Sequence, residues 1–135
     1  MILEIPENKP VYNLTIKVLE QDIDELHHVN NLVYLKWVLE AAQSHWLSLT
    51  DEALRAKYQW VVLRHEIDYL KPALLNDQLK IITWVEWHKG VKSMRQVTIL
   101  KNNQVIVEAR TIWCLLDART LKPRRIEKDI SELYL

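Results

Sequence analysis

The chain has 135 residues, enough for one domain with a buried core. Its 18 Lys and Arg balance 18 Asp and Glu, so no net field draws it to nucleic acid or to an anionic membrane. One cysteine, one glycine and the lack of any long apolar run exclude an internal disulfide, a Gly-rich phosphate loop and a membrane-spanning helix.

Residues 1–10 contain Pro6 and Pro10 with little periodicity and are expected to form an extended arm. They carry neither the basic stretch nor the apolar core of a signal peptide. With the lone Cys114, this sets the expectation of a reducing cytoplasm. Over 11–19, Tyr12, Leu14, Ile16 and Val18 alternate with Asn13, Thr15 and Lys17, the period of a half-buried strand. A polar run over 20–31 ends it, gathering Asp22, Asp24, His27, His28, Asn30 and Asn31 directly ahead of a helix. That helix is expected over 31–49, with Asn30 or Asn31 as N-cap, since such a side chain accepts from the first free amides. Leu32, Leu35, Leu39, Ala42 and Trp46 recur three and four apart and form the predicted buried stripe. Tyr34, Trp37, Val38 and Ala41 carry apolar character well round the cylinder, so the helix must be covered on most sides.

A short second helix is expected over 51–57, capped by Thr50 or Asp51. From residue 58 the period becomes two. Strands are predicted over 59–71, 78–88, 91–101 and 104–116, broken by Pro72 and a 73–77 turn, by Gly90, and by the hairpin pair Asn102-Asn103. A tail with Pro123, Arg124 and Arg125 ends in a weak helix over 129–133. Strand, helix, then four antiparallel strands predict an α+β fold: a single domain over 1–135 in which a curled sheet wraps one very apolar helix.

The polar junction is where chemistry is expected. The helix dipole stabilises a carboxylate near its N-terminus, keeping it ionised. First-turn amides have no intrahelical partner and can bind a developing oxyanion. Asp22 or Asp24 beside the amide of Asn31 or Leu32 would therefore join a base or nucleophile to an oxyanion site, the set that thioester or ester hydrolysis needs. On composition alone the capping and turn-forming roles of Asp and Asn lead. No metal site is expected, because His27, His28, His45, His65 and His88 show no i, i+4 pair on one helix face. Ser44, Ser48, Ser93 and Ser131 lack a nucleophile elbow, and Cys114 sits mid-strand as an inert thiol. Trp37, Trp60 and Trp84 are candidates to shape a ligand pocket.

The run over 22–40, with Asp22, Asp24, His28, Asn30, Asn31 and Tyr34 at these spacings, resembles the D-x-D-x-x-x-H-V-N-N-x-x-Y motif of hot-dog fold thioesterases. It is similar to the 4-hydroxybenzoyl-CoA thioesterase-like acyl-CoA hydrolases and to the first hot-dog repeat of acyl-ACP thioesterases. Weaker matches follow in order: YLKP at 69–72 with Asp77, and DARTLKPRRI at 117–126. The resemblance implies a hot-dog fold and an acyl-CoA thioesterase without cofactor, in which Asp24 is the general base or nucleophile. It implies that an amide near Asn31 polarises the thioester carbonyl, that His28 supports catalysis, that Asp22 is structural, and that Tyr34 lines the acyl pocket or packs under the loop. It also implies homodimers or homotetramers with sites between protomers. Coenzyme A phosphates need cationic anchors, and Lys122, Arg124 and Arg125 lead the candidates, with Arg64, Lys89 and Lys92 behind them. Leu26 stands where the acyl-ACP branch has a catalytic Asn, and His27 and Asn76 stand where relatives often carry Gly. The alternatives are an acyl-ACP thioesterase and a non-catalytic acyl-CoA-binding hot dog.

Overall fold

Period-two patterning beyond residue 58 becomes four long strands in the computed structural model, which describes residues 3–135. The first two residues of the expected arm lie outside that range. In chain order the elements are β1 (Tyr12–Lys17), α1 (Asn31–Leu49), α2 (Glu52–Arg55), β2 (Tyr58–Tyr69), β3 (Gln78–Lys89), β4 (Lys92–Lys101), β5 (Gln104–Asp117) and α3 (Lys128–Tyr134). The five strands form one antiparallel sheet in the order β1-β3-β4-β5-β2. Register shifts at Val62/Arg64, Val85/Trp87 and Ile99/Leu100 each insert an extra residue on one strand. Such bulges bend a strand and increase its twist, and here they help the sheet curl. Asn102 and Asn103 take φ of 51° and 63°, as a two-residue hairpin turn between β4 and β5 requires. This is the hot-dog architecture, an α+β fold with the long helix as its core.

α1 lies across β1, β3 and β4. Its covered face is Tyr34, Trp37, Val38, Ala41 and His45, and the first four pack on Ile81, Val97, Ile99 and Val107. Each fully buried aliphatic side chain here contributes roughly 1.5–3 kcal/mol. The predicted stripe is corrected accordingly: Leu32 is 73% exposed, Leu35 and Leu39 are only partly covered, and of that stripe Ala42 alone is buried. The reason is that α1 is apolar nearly all round, so periodicity could not choose the face. The small Ala41 and Val38 let the helix settle close to the sheet, while Leu32 is left outward and Leu35 and Leu39 fall at the margin of the covered face.

Side chains alternate across β3, so Ile81 faces α1 while Ile82 and Trp84 face away. The N-terminal arm covers that outer patch through Leu3 and Val11. Trp84 therefore does not shape a pocket under α1; its Nε1–H donates to Glu86 at 2.6 Å. A second core sits at the far end of the sheet, where Tyr58, Val85, Leu115, Ile130 and Tyr134 pack with Trp46 and Trp60. The sheet has two edges, β1 and β2, and twelve-residue β2 presents Leu63 at 52% exposure. Among the described residues no helix is long and apolar enough to cross a membrane.

Candidate active site

The polar run ahead of α1 folds into a small hairpin. A 3-10 turn at Glu20–Asp22 leads into it, and Asp22 is buried. Asp22 Oδ2 accepts the Leu19 N–H at 2.9 Å, and its carbonyl accepts the Asn30 N–H at 2.9 Å. Ile23 and Val29 pair across the neck, where the Asp24 N–H donates to the His28 carbonyl at 2.8 Å. His27 takes a φ of 64° to close the turn, a left-handed conformation that Gly adopts at no steric cost. The hairpin is tied to the rest of the fold at Val29, whose N–H donates to the Ala73 carbonyl at 3.0 Å. Ala73 is held in turn: its N–H donates to the Tyr34 hydroxyl at 2.9 Å beneath it. Asp77 fixes the same loop, accepting from the Leu74 N–H at 2.8 Å and from Lys101 Nζ at 2.7 Å.

The carboxylate of Asp24 is oriented but not used up. Its Oδ1 accepts the Leu26 N–H at 2.9 Å and, more weakly, the His28 N–H at 3.4 Å. Oδ2 has no donor among the described residues. At the start of α1, Asn30 is the N-cap: its Oδ1 accepts the Leu32 N–H and its carbonyl accepts the Val33 N–H, both at 2.9 Å. The Leu32 amide is thereby consumed. The Asn31 N–H has no acceptor among the described residues, and both Asn31 and the His28 side chain are exposed. One hairpin thus presents a free carboxylate oxygen, a free helix-start amide and an exposed imidazole. That set can activate water or attack a carbonyl carbon, and can hold the oxyanion that forms.

The remaining candidates lie elsewhere. Tyr34 is 2% exposed and packs edge-on to Trp37, so it sits under the hairpin rather than on its surface. Arg124 and Arg125 line a surface hollow with Lys57, Tyr58 and Asp129. Arg124 pairs with Asp117 at 3.2 Å and stacks over Tyr58, 4.9 Å from the ring centre. Tyr58 begins β2, whereas Tyr69, at its other end, lies tilted against Tyr34 with ring centres 5.6 Å apart. They are the two ends of this strand, on the order of 35 Å apart along the chain. Within one protomer the two arginines and Asp24 are therefore at opposite ends of the sheet.

Sequence reasoning missed a further polar group inside the fold. Between the second half of α1 and the β2–β5 side of the sheet is a cavity of about 470 Å³. Arg95, 5% exposed, contributes to its wall, and its Nη1 donates to His45 Nδ1 at 2.9 Å and to Thr83 Oγ1 at 3.0 Å. Burial, with Arg95 beside it, pushes His45 down to about 4, and burial with Arg95 and Lys9 does the same to His88. Both imidazoles are therefore neutral near pH 7. No local motif could have revealed this group, because its members come from α1, β3, β4 and α3.

Comparison with known proteins adds the family. Residues 9–134 match the acyl-ACP thioesterase N-terminal domain family. FadM, a long-chain acyl-CoA thioesterase of Escherichia coli K12, is 28% identical over 127 residues, covering 87% of this chain and 92% of its own. The crystal structure of YbaW, a probable thioesterase from Escherichia coli, superposes with a TM-score of 0.80 at 27% identity, covering 90% of this chain and 94% of its own. A thioesterase from Thermus thermophilus, complexed with coenzyme A and Zn, gives a TM-score of 0.82 at 24% identity and covers 96% and 94%. At that identity the last likeness speaks to the fold.

Proposed function

This chain belongs to the acyl-ACP thioesterase N-terminal domain family and is a thioester hydrolase, and from that premise we propose that it hydrolyses acyl-CoA to a free acid and coenzyme A. The observation that carries the proposal is the free Oδ2 of Asp24 in the same hairpin as the unpaired Asn31 amide. In this mechanism Asp24 Oδ2 takes a proton from water, whose oxygen attacks the thioester carbonyl carbon. The carbonyl oxygen becomes an oxyanion held by the Asn31 N–H, and collapse breaks the C–S bond. The thiolate leaves with a proton returned through Asp24 or the exposed His28. In the nucleophilic variant, Asp24 attacks the carbonyl itself and water then cleaves the resulting anhydride. Label found in Asp24 after a single turnover in ¹⁸O-water would identify the anhydride route, since only water attack on the Asp24 carbonyl of the anhydride puts it there.

We further propose that the working unit is a homodimer formed along the β2 edge, with residues 1–135 acting as one domain. The support is a twelve-residue edge strand whose outer side pairs with no strand among the described residues, exposed Leu63 on it, and exposed Leu32 and Leu47 on α1. An antiparallel two-fold pairing of β2 sets Tyr58 of one protomer near Tyr69 of its partner. Arg124 and Arg125 of one subunit would then approach the partner's hairpin, where they could anchor phosphates of coenzyme A, while Tyr34 supports the acyl end from below. The proposed setting is the cytoplasm.

Asp24→Asn is the test of the chemistry: thiol release over a panel of acyl-CoAs should collapse while the melting temperature holds. Full turnover in that variant would sink the mechanism. The family name favours a second reading, an acyl-ACP thioesterase, and it wins if acyl-ACP turns over far better than the matching acyl-CoA. Acyl-CoA binding without any hydrolysis would instead identify a non-catalytic binding protein.

A further inference from the structure

The interior of this fold holds a cation with no counter-ion. Arg95 stays protonated in proteins, and among the described residues no carboxylate lies within ion-pair distance of it. Its polar contacts are neutral: His45, Thr83, and Tyr134, whose ring lies 5.5 Å from its Cζ and whose hydroxyl favours the charged form. Such dipoles soften the burial of a charge but do not neutralise it, and an unpaired buried charge is strongly unfavourable. The bonds to His45 and Thr83 both come from Nη1, which leaves donors of the planar fork to spare. Beside it, Trp113 has a buried Nε1–H with no acceptor among the described residues, and Trp113, Ser93 and Arg95 all line the cavity. The rest of the wall is mostly apolar and aromatic, led by Leu39, Trp46 and Trp60, with Gln43, Arg55 and Gln59 as its polar members; Arg55 is already engaged, its Nη1 donating to the Thr50 carbonyl at 2.6 Å. Three donors around one face and an apolar body opposite are the complement of one ligand type.

We propose that this cavity binds a carboxylate carried on an apolar body, with the carboxylate paired to Arg95. The Ser93 hydroxyl and the Trp113 indole N–H complete its recognition, and the hydrocarbon lies among Leu39, Trp46 and Trp60. Guanidinium and carboxylate match in plane and charge, and burial strengthens the pair. The cavity is distinct from the hairpin: Ala42, in its wall, lies eleven residues beyond Asn31, roughly 16 Å along α1. Two sources supply this chemistry. One is a free carboxylic acid; the other is the distal carboxylate of an acyl group whose thioester end lies at Asp24.

Calorimetric titration with decanoate and with decanamide, its neutral isostere, decides the central point without any turnover assay. Decanoate should bind at least tenfold tighter and raise the melting temperature. The Trp113 Nε1–H resonance should move in the ¹⁵N spectrum, assigned by its loss in Trp113→Phe. Arg95→Met, which keeps side-chain bulk, should abolish the tenfold preference, and Arg95→Lys should retain part of it. A second arm compares an ω-carboxyacyl-CoA with the unsubstituted acyl-CoA of the same length. Tighter binding of the former, lost in Arg95→Met, assigns the site to the distal end of the substrate; decanoate binding without that gain assigns it to a free acid. Should Arg95→Met not fold, the decanoate preference and the indole shift in the native protein still decide. Equal binding of acid and amide together with no gain from the ω-carboxylate overturns the proposal, as does an indole resonance that does not move.

Discussion

The two ends of this molecule treat charge in opposite ways. At the Asp24 end a carboxylate sits in a hairpin, half covered, with one oxygen held by backbone amides and the other left open. At the Arg95 end a guanidinium is enclosed, held by neutral partners and answered by no acid among the described residues. The first arrangement is stable because water and backbone share the charge. The second is softened only by the dipoles of His45, Thr83 and Tyr134, which share the charge without cancelling it. Reactive groups can thus be kept ready either by partial exposure or by enclosure without a partner.

The largest effect should come from removing the open oxygen. Asp24→Asn keeps an oxygen for the Leu26 and His28 amides, so the hairpin should persist, yet the base is lost. Thiol release should fall roughly 10²–10⁴-fold, with unchanged thermal unfolding. An equal loss of stability would mean that Asp24 is only a turn-former, and the contrast between the ends would dissolve.

Acid should single out the other end. His45 has a folded value of about 4 against an ordinary 6.5, so the unfolded chain binds the proton more readily. Stability is fully present above the ordinary value and is lost as pH falls from about 6.5 towards 4. For His45 alone the loss is on the order of 3 kcal/mol. His88 follows the same sign, and neither of its ring nitrogens has a partner among the described residues. His88→Leu should therefore flatten the fall in melting temperature between pH 7 and pH 5. If the slope is unchanged, these imidazoles are not what acid attacks.

How much of this was legible in the sequence follows the same division. Asp24, His28, Asn30 and Asn31 lie within eight positions, so spacing alone could bring them to one turn, and the cap at Asn30 is where the expected helix start places it. Which amide stays free was not legible, because it depends on Asn30 turning its side chain to Leu32. Arg95 reads as one more polar residue in an alternating strand. Its meaning depends on His45, fifty positions away, and on the curl that closes β4 over α1. The buried face of α1 failed for a related reason: with leucines on one side and Tyr34, Trp37 and Val38 on the other, only the sheet decides.

Two smaller changes sharpen the picture of the hairpin. Tyr34→Phe leaves the Ala73 N–H buried without an acceptor and should lower stability by about 1–3 kcal/mol, read by urea unfolding. Because Ala73 also receives the Val29 N–H, amide exchange at Val29 should quicken. His27→Gly removes the strain of a left-handed residue and should stabilise by up to about 1 kcal/mol. Destabilisation there would mean that the imidazole has a partner the free chain does not reveal.

Trp46 and Trp60 meet edge to face, 5.9 Å apart with their planes at 90°, one on α1 and the other on β2. Both belong to the wall of the Arg95 cavity. Indoles this close and this fixed are a built-in optical gauge. Their coupled circular dichroism follows the gap between helix and strand, so any molecule that wedges the two apart announces itself without a label.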